Sequence, residues 1–75
     1  MTVEEAAVRL RASYASACSG DKAVTVHLFG IRYARALSGL PLKELAARAG
    51  LPESYATELR KGVRLAEFVD LKAGA

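Results

Sequence analysis

The sequence predicts an all-α fold, a small bundle of four to five short helices forming one domain over residues 1–75. Three observations carry that expectation. Apolar residues recur at spacings of three and four through most of the chain. Residues that start and stop helices fall between those runs. Near the C-terminal end two short helical patterns meet at a glycine, Gly50. A chain of 75 residues buries only ~60% of the surface its unfolded form exposes, so the core is thin. Its apolar fraction of 52% is high for so small a body, yet no apolar run approaches the ~20 residues of a membrane span. Part of that excess is expected to be buried between subunits, which makes a homodimer or larger homo-oligomer the expected state.

Thr2 followed three residues later by Glu5 is a capping-box pattern and predicts a helix start. Val3, Ala7, Leu10, Tyr14 and Ala17 then form one stripe with Arg9 and Arg11 off it, so a helix is expected over Val3–Ser19, ended by Ser19 and Gly20. The stripe suits packing across a core or a subunit interface and is too short for a coiled coil. A turn at Gly20–Lys22 leads to Ala23–Val26, expected as a short extended link because of its β-branched residues, with Thr25 capping the second helix. Val26, Phe29, Tyr33 and Leu37 share a face of that helix, and Leu28 and Ile31 widen it, so this is the expected central helix. Gly30 inside it costs ~1 kcal/mol against alanine and is tolerated where another backbone passes close by. Ser38 and Gly39 stop the helix.

From Leu42 the chain reads LKELAARAG and then LPESYATELRKG, two helical patterns hinged at Gly50. A helix-turn-helix needs a small residue where its helices approach, a glycine at positive φ to end the first, and apolar residues pinning both. Ala46, Gly50, and the set Leu45, Ala49, Leu51, Ala56 and Leu59 fill those places, which puts the unit at Leu42–Lys61. The last stretch, VRLAEFVDLKAGA, reads equally as a short helix or an extended arm, and Ala73–Ala75 is expected to fray.

The segment LPLKELAARAGLPESYATELRKG resembles the helix-turn-helix of phage repressor and Cro-type transcriptional regulators. Ile31–Leu40 resembles the helix that precedes it there, so the likeness covers Ile31–Gly62, with Gly62 matching the glycine that commonly follows the recognition helix. The whole chain, through VHLFGIRYA and SYATELRKG, is also similar to short bacterial proteins described only as helix-turn-helix-like. The resemblance implies double-stranded DNA as partner, a role in transcription regulation, and Pro52–Lys61 as recognition helix. The regulators carry further helices after the motif, whereas thirteen residues follow Gly62 here, so the N-terminal helix is expected to cover the core instead.

Early and outward residues of a recognition helix meet base edges, which nominates Ser54, Thr57, Glu58 and Lys61; Lys43, Arg60 and Arg64 are placed to touch phosphates. Glu53 and Glu58 run against this reading. An acid accepts from cytosine N4 but also meets a dense field of phosphates. Glu53 has a second role at the positive end of the helix dipole, Lys61 one at the helix C-terminus, and Tyr55 reads better as a packing residue than as a DNA-stacking one. Arg32 and Arg35 form a small basic face that flanks DNA or meets acids of a neighbouring subunit.

Other chemistry finds little footing. Cys18 is the single cysteine and His27 the single histidine, so neither an internal disulfide nor a four-ligand zinc site assembles within one chain. No nucleophile motif or glycine-rich phosphate cradle is recognisable, so no enzyme activity, cofactor, metal or small-molecule substrate is expected. The start, MTVEEAAVRL, has two acids among its first five residues and no basic leader, so a cytoplasmic protein without a secretory signal is expected. A formal charge of +3 permits contact with a polyanion without requiring it. Two functions remain: a DNA-binding protein, or a module that uses the same hairpin to bind a protein partner or another copy of itself. A single positive stripe along the second helix of the motif favours the first, and a mixed or negative one the second.

Overall fold

The computed structural model describes residues 1–72, which form five α-helices and one short 3₁₀ turn with no strand among them. The expected fraying of Ala73–Ala75 lies outside the described residues. None of the helices is long and apolar enough to cross a membrane.

Helix α1 (Val3–Ser16) opens on the expected capping box. The Glu5 amide donates to Thr2 Oγ1 at 3.1 Å and the Thr2 amide to Glu5 Oε1 at 3.0 Å. Those bonds to Thr2 hold the Glu5 carboxyl below its ordinary pKa. The helix stops at Ser16, three residues short of the expected end, because Ala17 turns extended. Ala7 and Leu10 of the stripe are buried, Val3 and Tyr14 pack at the core edge, and Ala6, outside the stripe, is fully buried as well. This face packs within the chain against α2 and α4. Val8, 70% exposed, lies off it.

A 3₁₀ turn at Ser19–Asp21 leads directly into α2 (Lys22–Arg32). The extended link expected at Ala23–Val26 is therefore the beginning of α2, and Thr25 lies inside the helix rather than capping it. Strand propensity at Val24 and Val26 is a weak preference, and full burial of Val26 overrides it. Lys22 fastens the corner: its ammonium donates to the Tyr14 carbonyl in the last turn of α1 and sits 4.5 Å above the Tyr14 ring. A cation at a helix C-terminus complements the carbonyl end of the dipole.

The central helix does not run unbroken to Leu37. Tyr33 leaves helical geometry (φ −107°, ψ 20°), and a separate turn, α3 (Ala34–Leu37), follows. Leu37 still enters the core, and Gly39 takes positive φ (83°) to turn the chain toward α4 (Leu42–Arg48).

Helix α4 ends as the sequence requires. Gly50 has φ 78°, its amide donates to the Ala47 carbonyl, and the Leu51 amide donates back to Ala46, both at 3.0 Å. This is the paired closure that a left-handed glycine makes possible at a helix end. Leu51 then packs into the core. Arg11 of α1 supplies a second closure from outside, donating to the carbonyls of Arg48 (3.3 Å) and Ala49 (3.5 Å). Beside it Arg48 pairs with Glu4 and Glu44, each at 2.8 Å. Helix α1 thus lies against α4, as expected of the added N-terminal helix.

Helix α5 (Tyr55–Leu65) makes its most extensive contact with α2. Two glycines set that contact. A Cβ on Gly30 would stand 2.7 Å from the Leu59 carbonyl oxygen and 2.9 Å from the Val63 nitrogen, and a Cβ on Gly62 would run into the His27 carbonyl. The close backbone approach anticipated at Gly30 is a crossing of two helices, glycine over glycine. After Leu65 the chain unwinds through turns to Phe68, and 69–72 has no regular structure, so the described part of the tail is neither a separate short helix nor wholly an arm.

Candidate nucleic-acid interface

Leu45, Ala46, Ala49, Leu51, Ala56 and Leu59, all read from the sequence as inward-facing or close-packed, are buried. They hold α4 and α5 to each other and fix which side of α5 faces away. The second helix of the pair begins at Tyr55 rather than Pro52; Pro52, Glu53 and Ser54 form the turn that enters it. It also runs past Lys61. Gly62 does not terminate it but lies inside it against α2, and Arg64 belongs to its last turn.

At 3.6 residues per turn, Thr57, Lys61 and Arg64 fall within about 60° of one another around α5, with Arg60 about 40° beyond. All four are exposed, and together with Leu65 they border a shallow open groove. Ser54 is exposed in the turn before the helix, and its side chain makes no capping bond. The outward side of α5 therefore carries hydroxyl and cationic groups.

The acids that weighed against a nucleic-acid reading are tied to neighbours. Glu58 Oε2 lies 2.7 Å from His27 Nε2 across the α2–α5 contact, and its Oε1 lies 3.4 Å from Lys61 Nζ. It is three-quarters buried at 27% side-chain exposure, on the edge of α5 that meets α2. The hydrogen bond with His27, reinforced by Lys61, holds its carboxyl below the ordinary range. Glu53 sits in the turn and pairs with Lys43 of α4 at 2.9 Å. That bond lowers the Glu53 pKa and raises that of Lys43. Arg64 pairs with Glu67 at 3.3 Å, and Arg60 has no ion-pair partner among the described residues.

Of the residues nominated for base edges, Ser54, Thr57 and Lys61 share the open side, while Glu58 is drawn toward α2. Of those nominated for phosphates, Arg60 and Arg64 are on α5, and Lys43 stands on α4 across the turn. Tyr55 is half-buried and packs edge-on against Tyr14, with ring centres 5.5 Å apart, which fits its reading as a packing residue. The His27–Glu58 bridge escapes sequence reading because it joins residues 31 apart. The one available signal is that Glu58 falls beside Gly62, the residue that admits α2.

A helical pair closed by a positive-φ glycine, with a second helix buried on one side and bare on the other, defines a helix-turn-helix protein. The chain belongs to the HTH-like domain family, whose family model matches residues 2–72. No curated protein and no solved structure matches it.

Proposed function

We propose that the protein binds double-stranded DNA through the outward side of α5, in the manner of a phage-repressor-like transcriptional regulator acting in the cytoplasm as a homodimer or larger homo-oligomer. The observation that carries this reading is the charge of that side: Arg60, Lys61 and Arg64 surround Thr57, and the nearby acids Glu53, Glu58 and Glu67 are each paired with a basic residue or His27. The basic groups there outnumber the exposed acids, Glu53 and Glu67, and an excess of positive charge suits a polyanion. In this reading Ser54, Thr57 and Lys61 meet base edges, joined by Glu58 only if it leaves His27, and Lys43, Arg60 and Arg64 meet phosphates. The protein acts by binding, without catalysis, metal or cofactor. Oligomerisation is supported by large apolar side chains left in solvent, Phe68 at 71% and Val24 at 52% exposed.

The test is fluorescence anisotropy on mixed-sequence duplexes at two salt concentrations. Wild type should bind, and more weakly at higher salt. Arg60→Ala should lower affinity for every duplex and reduce the salt slope by ~1, the signature of one lost phosphate contact. Lys61→Ala should also weaken binding. If wild type shows no salt-dependent retention of any duplex at low ionic strength, the protein-interaction alternative takes its place.

A further inference from the structure

The chain has eleven basic residues, and most are engaged by the protein itself. Lys43, Arg48, Lys61 and Arg64 pair with carboxylates. Arg11 and Lys22 donate to helix-end carbonyls. Among the described residues Arg9, Arg32, Arg35, Arg60 and Lys72 make neither kind of bond. Three of these five gather around one side chain. Arg9 of α1 places its guanidinium carbon 5.8 Å from the centre of the Tyr33 ring. Arg32 and Tyr33 together wall two shallow grooves, one shared with Ser13 and Thr25, the other with Arg35, Ser38 and Val63. Tyr33 is half-buried and braced by Phe29 at 4.7 Å, so it forms a fixed floor. The break in the helix at Tyr33 separates the α2 arginine from the α3 arginine and leaves both exposed.

We infer that Arg9, Arg32 and Arg35, set around Tyr33, form a second polyanion-binding surface whose ligand is a phosphodiester backbone. Guanidinium groups present planar forks of donors matched to phosphate oxygens. No carboxylate among the described residues pairs with any of the three, so their donors are free for such a ligand. The surface is separate from the open side of α5. Its second groove is lined by Val63 of α5, which lies round the helix from Thr57 and Lys61, and by Ala66 and Glu67 in the turn that follows. Phosphates held here contribute to affinity without reading sequence, since no base-reading element stands beside them. This inference extends the DNA-binding reading of α5, but its residues are distinct and can be tested apart.

The experiment compares wild type, Arg32→Ala/Arg35→Ala, the same pair with Arg9→Ala added, and Arg60→Ala/Lys61→Ala. Each is titrated against a mixed-sequence 40-base-pair duplex over a salt series, with far-UV circular dichroism to show that it is folded. Removing Arg32 and Arg35 should weaken binding at least tenfold at low salt and reduce the salt slope by ~2, at about 0.9 per phosphate released. Arg32→Lys/Arg35→Lys, which keeps the charge, should recover most of the slope. A folded alanine pair with wild-type affinity and slope, beside a weakened Arg60/Lys61 variant, overturns the second surface and leaves the α5 reading intact. The opposite pattern removes α5 and keeps the second surface. Poly-L-glutamate provides the remaining arm. If wild type binds it as tightly as duplex at equal charge and the Arg32/Arg35 variant does not, the ligand is an acidic protein and the phosphodiester assignment is wrong.

Discussion

Replacing Gly62 by alanine tests the crossing on which the placement of α5 depends. In a free helix the change would be favourable by ~1 kcal/mol, since glycine is the poorer helix former. Here the added methyl meets the carbonyl of His27, with the Gly30 Cα at 3.1 Å behind it. Backbone cannot rotate aside as a side-chain tip can, so α2 and α5 must move apart. Overpacking of this kind costs ~1 to 3 kcal/mol, and rigid backbone on the receiving side argues for the upper end. Subtracting the propensity gain leaves a net loss of roughly 2 kcal/mol. For a domain of this size each kcal/mol shifts Tm by about 4 to 8 °C, so the midpoint should fall by on the order of 10 °C. Thermal melting followed by circular dichroism reads this directly. Gly20→Ala is the internal control, because a Cβ there meets nothing within 4 Å and no positive φ is involved. It should leave Tm unchanged or slightly raised. A Gly62→Ala protein melting within about 2 °C of wild type would refute the steric argument and with it the close crossing.

Gly50→Val has open space around its side chain, so its cost comes from φ 78° alone; at ~1 to 2 kcal/mol for a left-handed residue, more when β-branched, melting should show a drop on the order of 10 °C. Glu58→Gln bears on pH: a folded-state pKa depressed below 4.5 means that the ionised carboxylate stabilises the fold above that value and loses its effect as pH falls through the depressed one. Wild type should therefore lose more stability than the variant between pH 6 and pH 3 in paired melts, and parallel curves would show that the His27 bridge adds nothing. The same variant should strengthen non-specific duplex binding by removing a negative charge beside phosphates; weakening on one preferred site alone would instead place Glu58 on a cytosine. Sedimentation equilibrium at high micromolar concentration should give a mass of at least about twice the 8.0 kDa chain, and a clean monomer would remove the argument from a deficient core.

The parts of the fold legible in the sequence are those set by local rules. Thr2 and Glu5 cap a helix three residues apart, and Gly50 turns one off within a single residue, so both were readable from spacing alone. The hairpin core from Leu45 to Leu59 was readable because helical periodicity fixes which side is apolar. Local preference misleads where tertiary contacts outweigh it. Val24 and Val26 favour strand, yet Val26 is buried in a helix; Gly62 looks like a stop, yet α5 continues because α2 needs a residue without a side chain there. Of the candidate site, exposure of Thr57, Arg60, Lys61 and Arg64 followed from the same periodicity. The partners of Glu53 and Glu58 did not, because Lys43 and His27 reach them from other elements.

Those partners bear on how a modest total charge becomes a directed surface. A formal charge of +3 spread evenly over a body 29 × 27 × 19 Å would steer a polyanion weakly. The fold does not spread it evenly. Glu4 and Glu44 converge on Arg48, Glu53 on Lys43, and Glu58 on His27 with Lys61 at its flank. With Glu67 on Arg64, five carboxylates are thus held beside cations or the imidazole, and among the described residues Arg9, Arg32, Arg35, Arg60 and Lys72 are left with neither an acidic partner nor a helix-end carbonyl. The Gly30–Gly62 crossing brings about one step of this directly: it lets α2 approach α5 closely enough for His27 to reach Glu58. Widening that crossing should therefore expose an acid beside the groove of Thr57 and Lys61. Gly62→Ala should then lose duplex affinity beyond its loss of folded protein at a temperature where it remains folded. Glu58→Gln in the same background should restore part of that affinity, whereas no restoration would separate the packing of α2 from the charge of α5.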